Sequence, residues 1–156
     1  MAVEIERKFL VRDERWRAAV TRVIPLAQGY LDRSAHCSVR VRLEGEEARL
    51  NIKSRTLGVS RLEYEYSIPP ADAREMLTRL CGGKVIRKQR HLVPWATHLW
   101  EIDVFEDENL GLVVAEIELE SPDQPFERPP WLGTEVSHDV RYYNTSLIDM
   151  PYSRWT

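Results

Sequence analysis

Six stretches of this chain alternate charged and apolar residues with a period of two, which restricts them to strands with two chemically distinct faces. In residues 3–10, Glu4, Glu6 and Lys8 share one parity against Val3, Ile5 and Phe9, with Arg7 the exception. Residues 38–43 set Arg40 and Arg42 against Val39, Val41 and Leu43, and residues 49–55 set Arg49, Asn51 and Lys53 against Leu50 and Ile52. Arg61, Glu63 and Glu65 oppose Leu62, Tyr64 and Tyr66 in residues 61–66. Glu101 and Asp103 oppose Trp100, Ile102 and Val104, while Glu116, Glu118 and Glu120 oppose Ala115, Ile117 and Leu119. Residues 28–31 and 85–92 supply two more candidates, the second irregular because Ile86 shares its parity with Lys88 and Arg90. About eight strands at hairpin spacing predict an α+β fold that is mainly antiparallel β.

Helices interrupt this framework sparingly. Residues 13–23 form a capped, moderately amphipathic candidate, and residues 70–81 open with proline and stop at Gly82 and Gly83. A third short helix is predicted over residues 140–148. Residues 121–133 carry four prolines and predict an extended surface connection. No repeat or linker divides the 156 residues, so one domain over 1–156 is expected.

Composition narrows the partners. With 22 Lys+Arg against 25 Asp+Glu the net charge is -3, which disfavours a general nucleic-acid binder. The N-terminus lacks the apolar core of a signal peptide, and no run of apolar residues is long enough for a membrane span. Cys37 and Cys81 belong to no CxxC pair, so reduced thiols in a cytoplasmic protein are expected. The four histidines show no zinc-ligand spacing, and the five tryptophans are expected to pack in the core. No Walker lysine, GxGxxG or Ser-His-Asp pattern is present.

An antiparallel sheet ordinarily shows its polar face to water, which makes a solvated surface the plainest reading of the charged parity. The charges, however, are sorted by strand. Glu4, Glu6, Glu101, Asp103, Glu116, Glu118 and Glu120 make acidic strands, whereas Arg40, Arg42, Arg49, Lys53, Lys88 and Arg90 make basic ones. A merely soluble surface mixes its signs locally. If the sheet closes with its charged side inward, a barrel of about eight strands encloses room for one small ligand. Carboxylate oxygens suit a hard divalent cation, and arginine and lysine suit phosphate, so such a lumen fits a polyphosphate with its metal ion.

The ordered set of these residues resembles the CYTH superfamily, the triphosphate tunnel metalloenzymes. Glu4-Ile5-Glu6-Arg7-Lys8 matches the ExExK signature, and Gln28-Gly29-Tyr30-Leu31, Arg40-Val41-Arg42, Ile52-Lys53-Ser54 and Arg61-x-Glu63-x-Glu65 continue it. Lys88-x-Arg90, Asp103, the 115–119 strand, residues 131–137 and Arg141-Tyr142-x-Asn144 complete it across nearly the whole chain. The resemblance implies an eight-stranded closed β-barrel, a triphosphate tunnel, with a few covering helices. It also implies that Glu4, Glu6, Glu116 and Glu118 hold Mg²⁺ or Mn²⁺, with Asp103 as a further carboxylate. Lys8, Arg40, Arg42, Lys53, Lys88 and Arg90 would grip phosphates, with Arg61, Glu63 and Glu65 in support. Catalysis would fall to Lys8 paired with Tyr30 and to Glu116 or Glu118 acting on water. Asn51 departs from the threonine of many relatives. The implied reaction is cleavage of tripolyphosphate to pyrophosphate and phosphate by a monomer or homodimer. Class IV adenylyl cyclase, thiamine triphosphatase and a non-catalytic polyphosphate-binding module are the alternatives.

Overall fold

The computed structural model describes residues 3–55 and 59–155. Nine strands form one antiparallel sheet in the order β5-β4-β3-β2-β6-β7-β8-β1-β9, and β5 pairs back onto β1 to close an eight-stranded barrel. They are β1 (Val3–Val11), β2 (Arg22–Arg33), β3 (Cys37–Glu44), β4 (Glu47–Ser54), β5 (Ser60–Ser67), β6 (Val85–Trp95), β7 (His98–Phe105), β8 (Val113–Glu118) and β9 (Leu132–Glu135). Closure is short, running through Val3↔Leu62, Glu4↔Arg61 and Ile5↔Ser60. Further along the same strand, β9 pairs with Phe9 and Val11 while β8 takes Glu6 to Leu10. Each of the eight barrel strands thus has a neighbour on both sides, and the expected α+β, mainly antiparallel barrel is what forms.

Three apolar clusters hold the barrel. Phe9, Trp16, Trp100, Ile102, Ile117 and Trp131 cover the outside of β1, β6, β7 and β8, closed over by residues 121–131. Helix α1 (Pro70–Arg79) lays Ala73 and Leu77 on the outer face of β3, where Val41 is fully buried. At Gly29 of β2 the approach is so close that a Cβ would stand 2.6 Å from Cys81 Sγ. The third cluster, Ile86, Phe105, Leu112, Val114 and Leu147, plugs one end of the barrel. It explains the irregular parity of residues 85–92: Ile86 points inward with Lys88 and Arg90 but lies where the lumen has become apolar. Arg7, the outward exception on β1, is neutralised by Glu135 of β9 at 2.6 Å.

Residues 13–23 do not make the expected helix. A 3-10 turn covers Arg15–Ala19, and β2 then begins at Arg22, because the β-branched run Val20, Thr21, Val23 and Ile24 favours extended backbone. The short candidate at 28–31 is the second half of this longer strand. Pro25 is tolerated inside it because β3 pairing begins only at Leu26, and the Pro25 carbonyl accepts from Gly45 N. The C-terminal helix is divided into a 3-10 turn at Val140–Tyr142 and α2 (Asn144–Asp149). Strand β9 follows the proline-rich connection unannounced by any alternation. Among the described residues no helix is long and apolar enough to cross a membrane.

Candidate active site

The charged parity faces inward, not toward solvent. Lys8, Arg40, Arg42, Lys53, Lys88, Arg90, Glu4, Glu116 and Asp103 are all buried, which rules out the solvated-face reading. They line or underlie a cavity of about 330 Å³ inside the barrel. Strand order sorts the charges spatially as well. The acidic strands β7, β8, β1 and β5 are contiguous, and the basic strands β4, β3 and β6 complete the circle with β2 among them. The two cations of the acidic half are tied locally: Lys8 Nζ lies 3.1 Å from Glu116 and 3.4 Å from Glu6, and Arg61 Nε donates to Glu4 at 2.9 Å.

Lys8, Lys53, Arg61 and Arg90 each pair with a carboxylate directly opposite on the neighbouring strand, and Arg42 and Lys88 take one nearby. Lys53 contacts Glu4 and Glu63, each at 3.2 Å, and Arg42 contacts Glu44 while its Nε donates to Gln28 Oε1. Asp103 is fully buried, receives both Nε and Nη2 of Arg90 and lies 2.6 Å from Lys88 Nζ. Burial nevertheless pulls Lys88 down to about 8, with Arg90 and Arg42 adding to the fall and Asp103 opposing it. Burial opposes the ionised form of Glu116 too, but Lys8, Arg90 and Lys88 together hold its carboxyl well below the usual range.

Two groups escape this neutralisation. Arg40 has no carboxylate partner among the described residues, and its Nε has no hydrogen-bond partner. Burial, reinforced by Arg42 and Arg90, lowers it to about 10. Glu118, exposed at the end of β8, likewise has no cation paired with it among the described residues; partial burial followed by Glu4, Glu6 and Glu63 raises its pKa, with Lys53 opposing. Three strands separate β3 from β8 in either direction around the barrel, so the uncompensated cation and the uncompensated carboxylate belong to opposite walls. Among the described residues no three metal-ligating side chains already converge on one point, since Glu4 and Glu116 are turned onto cations.

The remaining expected residues are placed as follows. The Tyr30 hydroxyl accepts from Gln28 Nε2 at 3.4 Å, and the ring over Lys8 Nζ, 5.9 Å to its centroid, belongs to Tyr143. Glu63 and Glu65 line the cavity, whereas Glu120 lies beyond the end of β8 and is exposed. Arg141 pairs with Asp139 on the surface. Further residues also contribute. Glu101, 3.2 Å from Arg90, belongs to the alternation, and Ser137 and Asn144 to the motifs of the resemblance, whereas Tyr143 and Thr145 are marked by neither; these four C-terminal residues line the cavity from an aperiodic segment. Asn144 Oδ1 accepts from Lys88 Nζ at 3.1 Å.

The CYTH domain profile matches residues 2–150. This chain belongs to the CYTH family. It is 41% identical over 155 residues to the inorganic triphosphatase of Acetivibrio thermocellus, covering 99% of both chains. It is 38% identical over 148 residues to the inorganic triphosphatase of Nitrosomonas europaea, covering 92% of this chain and 95% of that one. The crystal structure of the inorganic triphosphatase NE1496 superposes with a TM-score of 0.64 at 35% identity, covering 95% of each chain. The CYTH assignment rests on the full length of the barrel, with the ExExK strand β1 lying between its closing partner β5 and the carboxylate strand β8.

Proposed function

We propose that this CYTH protein is a metal-dependent triphosphatase that cleaves inorganic tripolyphosphate to pyrophosphate and phosphate inside the barrel. The observation that carries the reading is the opposed pair of uncompensated charges. A phosphate chain completes Arg40, and a divalent cation completes the carboxylates around Glu118. Among the described residues the lining favours an inorganic chain: its aromatic residues are Tyr30 and Tyr143, and its apolar ones are Ile24, Leu26 and Val59. The names of the two triphosphatase relatives support the same substrate. A small soluble anion as substrate also suits a cytoplasmic monomer or homodimer with no nucleic-acid partner, its two cysteines free thiols.

Hard oxygen donors at Glu4, Glu6, Glu116 and Glu118 fit Mg²⁺ or Mn²⁺, which when bound neutralises phosphate oxygens and acidifies water. The protein's own groups do the positioning. Arg40, Arg42 and Arg90 present guanidinium forks, and Lys8, Lys53 and Lys88 present point charges, to the non-bridging oxygens. Glu118, with no side-chain cation paired to it among the described residues, accepts a hydrogen bond from the attacking water and receives its proton. Asp103, with both oxygens engaged, holds Lys88 and Arg90 in place instead of reaching the metal. Charge accumulating on the departing pyrophosphate is met by cations already fixed, so little reorganisation accompanies the reaction.

Phosphate release from tripolyphosphate, ATP and thiamine triphosphate, with Mg²⁺, with Mn²⁺ and with chelator, tests the reading. Metal-dependent release greatest with tripolyphosphate is the expected result; cyclic AMP formed from ATP, or no turnover with any of the three, would overturn it. The pH profile supplies a second check. Below about 8 Lys88 is charged and grips phosphate, and above it the grip is lost. The kcat/KM for tripolyphosphate should therefore fall on the alkaline side, and Lys88→Arg should move that limb upward. An unmoved limb would assign it to another group.

A further inference from the structure

The lack of an ion pair at Arg40 among the described residues has a structural answer in its cross-strand neighbours. Arg40 of β3 stands opposite Asn51 of β4, and Asn51 stands opposite Glu65 of β5, all three on the inward parity. At a strand spacing of about 4.8 Å, Arg40 and Glu65 are carried roughly 10 Å apart, a gap their two side chains together can bridge. Glu65 is thus the carboxylate that would neutralise Arg40. It does not, because both of its oxygens are occupied. Asn51 Nδ2 donates to Oε2 at 2.7 Å, and Arg49 Nη1 donates to Oε1 at 2.8 Å.

The two tethers are unequal. The Arg49–Glu65 pair is partly open to solvent, with side chains 35% and 37% exposed, and water and salt screen it. Asn51 is 1% exposed, so its hydrogen bond to an ionised carboxylate is the shielded one. Asn51 also carries no charge and cannot quench Arg40 itself: Asn51 Oδ1 and Arg40 Nε both remain without partners. We infer that Asn51 is a positioning residue that holds Glu65 aside and so keeps Arg40 free for the phosphate chain.

This inference rests on the triphosphate reading, and the test separates the two. Tripolyphosphate is titrated calorimetrically, in chelator so that no turnover occurs, into the unaltered chain, into Asn51→Leu and into Asn51→Leu/Glu65→Gln. Leucine keeps the branching of asparagine at Cγ while removing its hydrogen-bonding atoms, and the double variant controls for the extra bulk. Asn51→Leu is expected to weaken binding by about tenfold as Glu65 swings onto Arg40, and neutralising Glu65 in the same chain should restore affinity to within about twofold. With metal present, the single variant should show a raised KM at nearly constant kcat. Unchanged binding by Asn51→Leu overturns the inference. Weakening that Glu65→Gln fails to reverse overturns it too, because a merely structural loss would not depend on the charge of Glu65. Absence of binding by the unaltered chain overturns the triphosphate reading itself, and the inference with it.

Discussion

Replacing Asp103 with alanine is expected to lower the melting temperature by about 10 °C and to abolish detectable tripolyphosphate cleavage. Asp103 is the fully buried hub between two cations on β6, contacting Lys88 at 2.6 Å and Arg90 through both oxygens. Without it, the Lys88 ammonium and the Arg90 guanidinium face each other inside the barrel with one shared charge partner fewer. Removing one member of a buried ion pair costs about 3–5 kcal/mol, because the other is left uncompensated. Thermal denaturation of Asp103→Ala measures this directly. A second substitution, Lys88→Met, should return part of the lost stability by removing one stranded cation, without returning activity. A contrary pattern, with the melting point kept and only the response to metal lost, would make Asp103 a metal ligand instead of a positioning group.

Parity in the sequence carried the inward set of residues a long way. Each of Glu4, Glu6, Lys8, Arg40, Arg42, Lys53, Lys88, Arg90, Glu116 and Glu118 lines the cavity, since a period of two admits only one face for each set. Even the misfit Ile86 was informative, marking the level at which the lumen turns apolar. What alternation cannot specify is which strand neighbours which across long stretches of chain. The closure of β1 on β5, and hence the contact of Arg61 with Glu4, depends on residues far apart in sequence. Partner choice among like-signed neighbours is also invisible: nothing local says that Gln28 takes Arg42, or that Asn51 takes Glu65. Tyr143 is illegible for a different reason. It joins the 3-10 turn at Val140–Tyr142 to α2, and the placement of this segment beside the cavity comes from the apolar plug around Leu147.

Glu118→Gln should separate catalysis from stability in the opposite way to Asp103→Ala. Turnover of tripolyphosphate is expected to fall by about a thousandfold, the scale of a lost proton-accepting group in the transition state, while the melting temperature stays the same or rises. The stability half follows from sign. Burial and the neighbouring Glu4, Glu6 and Glu63 raise the Glu118 pKa, so folding disfavours its ionised form. Whatever Glu118 adds to stability is present at acid pH and is lost as pH rises through its folded pKa, so at neutral pH an uncharged amide gives up nothing. Glu116→Gln makes the comparison decisive. That carboxyl is lowered by Lys8, Arg90 and Lys88, its contribution is present at neutral pH and lost in acid, and its removal should lower the melting temperature as well as activity. Mg²⁺ or Mn²⁺ added at neutral pH should raise the melting point of the unaltered chain and raise it less in Glu118→Gln, because the cation relieves a repulsion the amide has already removed. Full turnover by Glu118→Gln in the presence of metal would sink the assignment of the water-activating carboxylate to β8's free end.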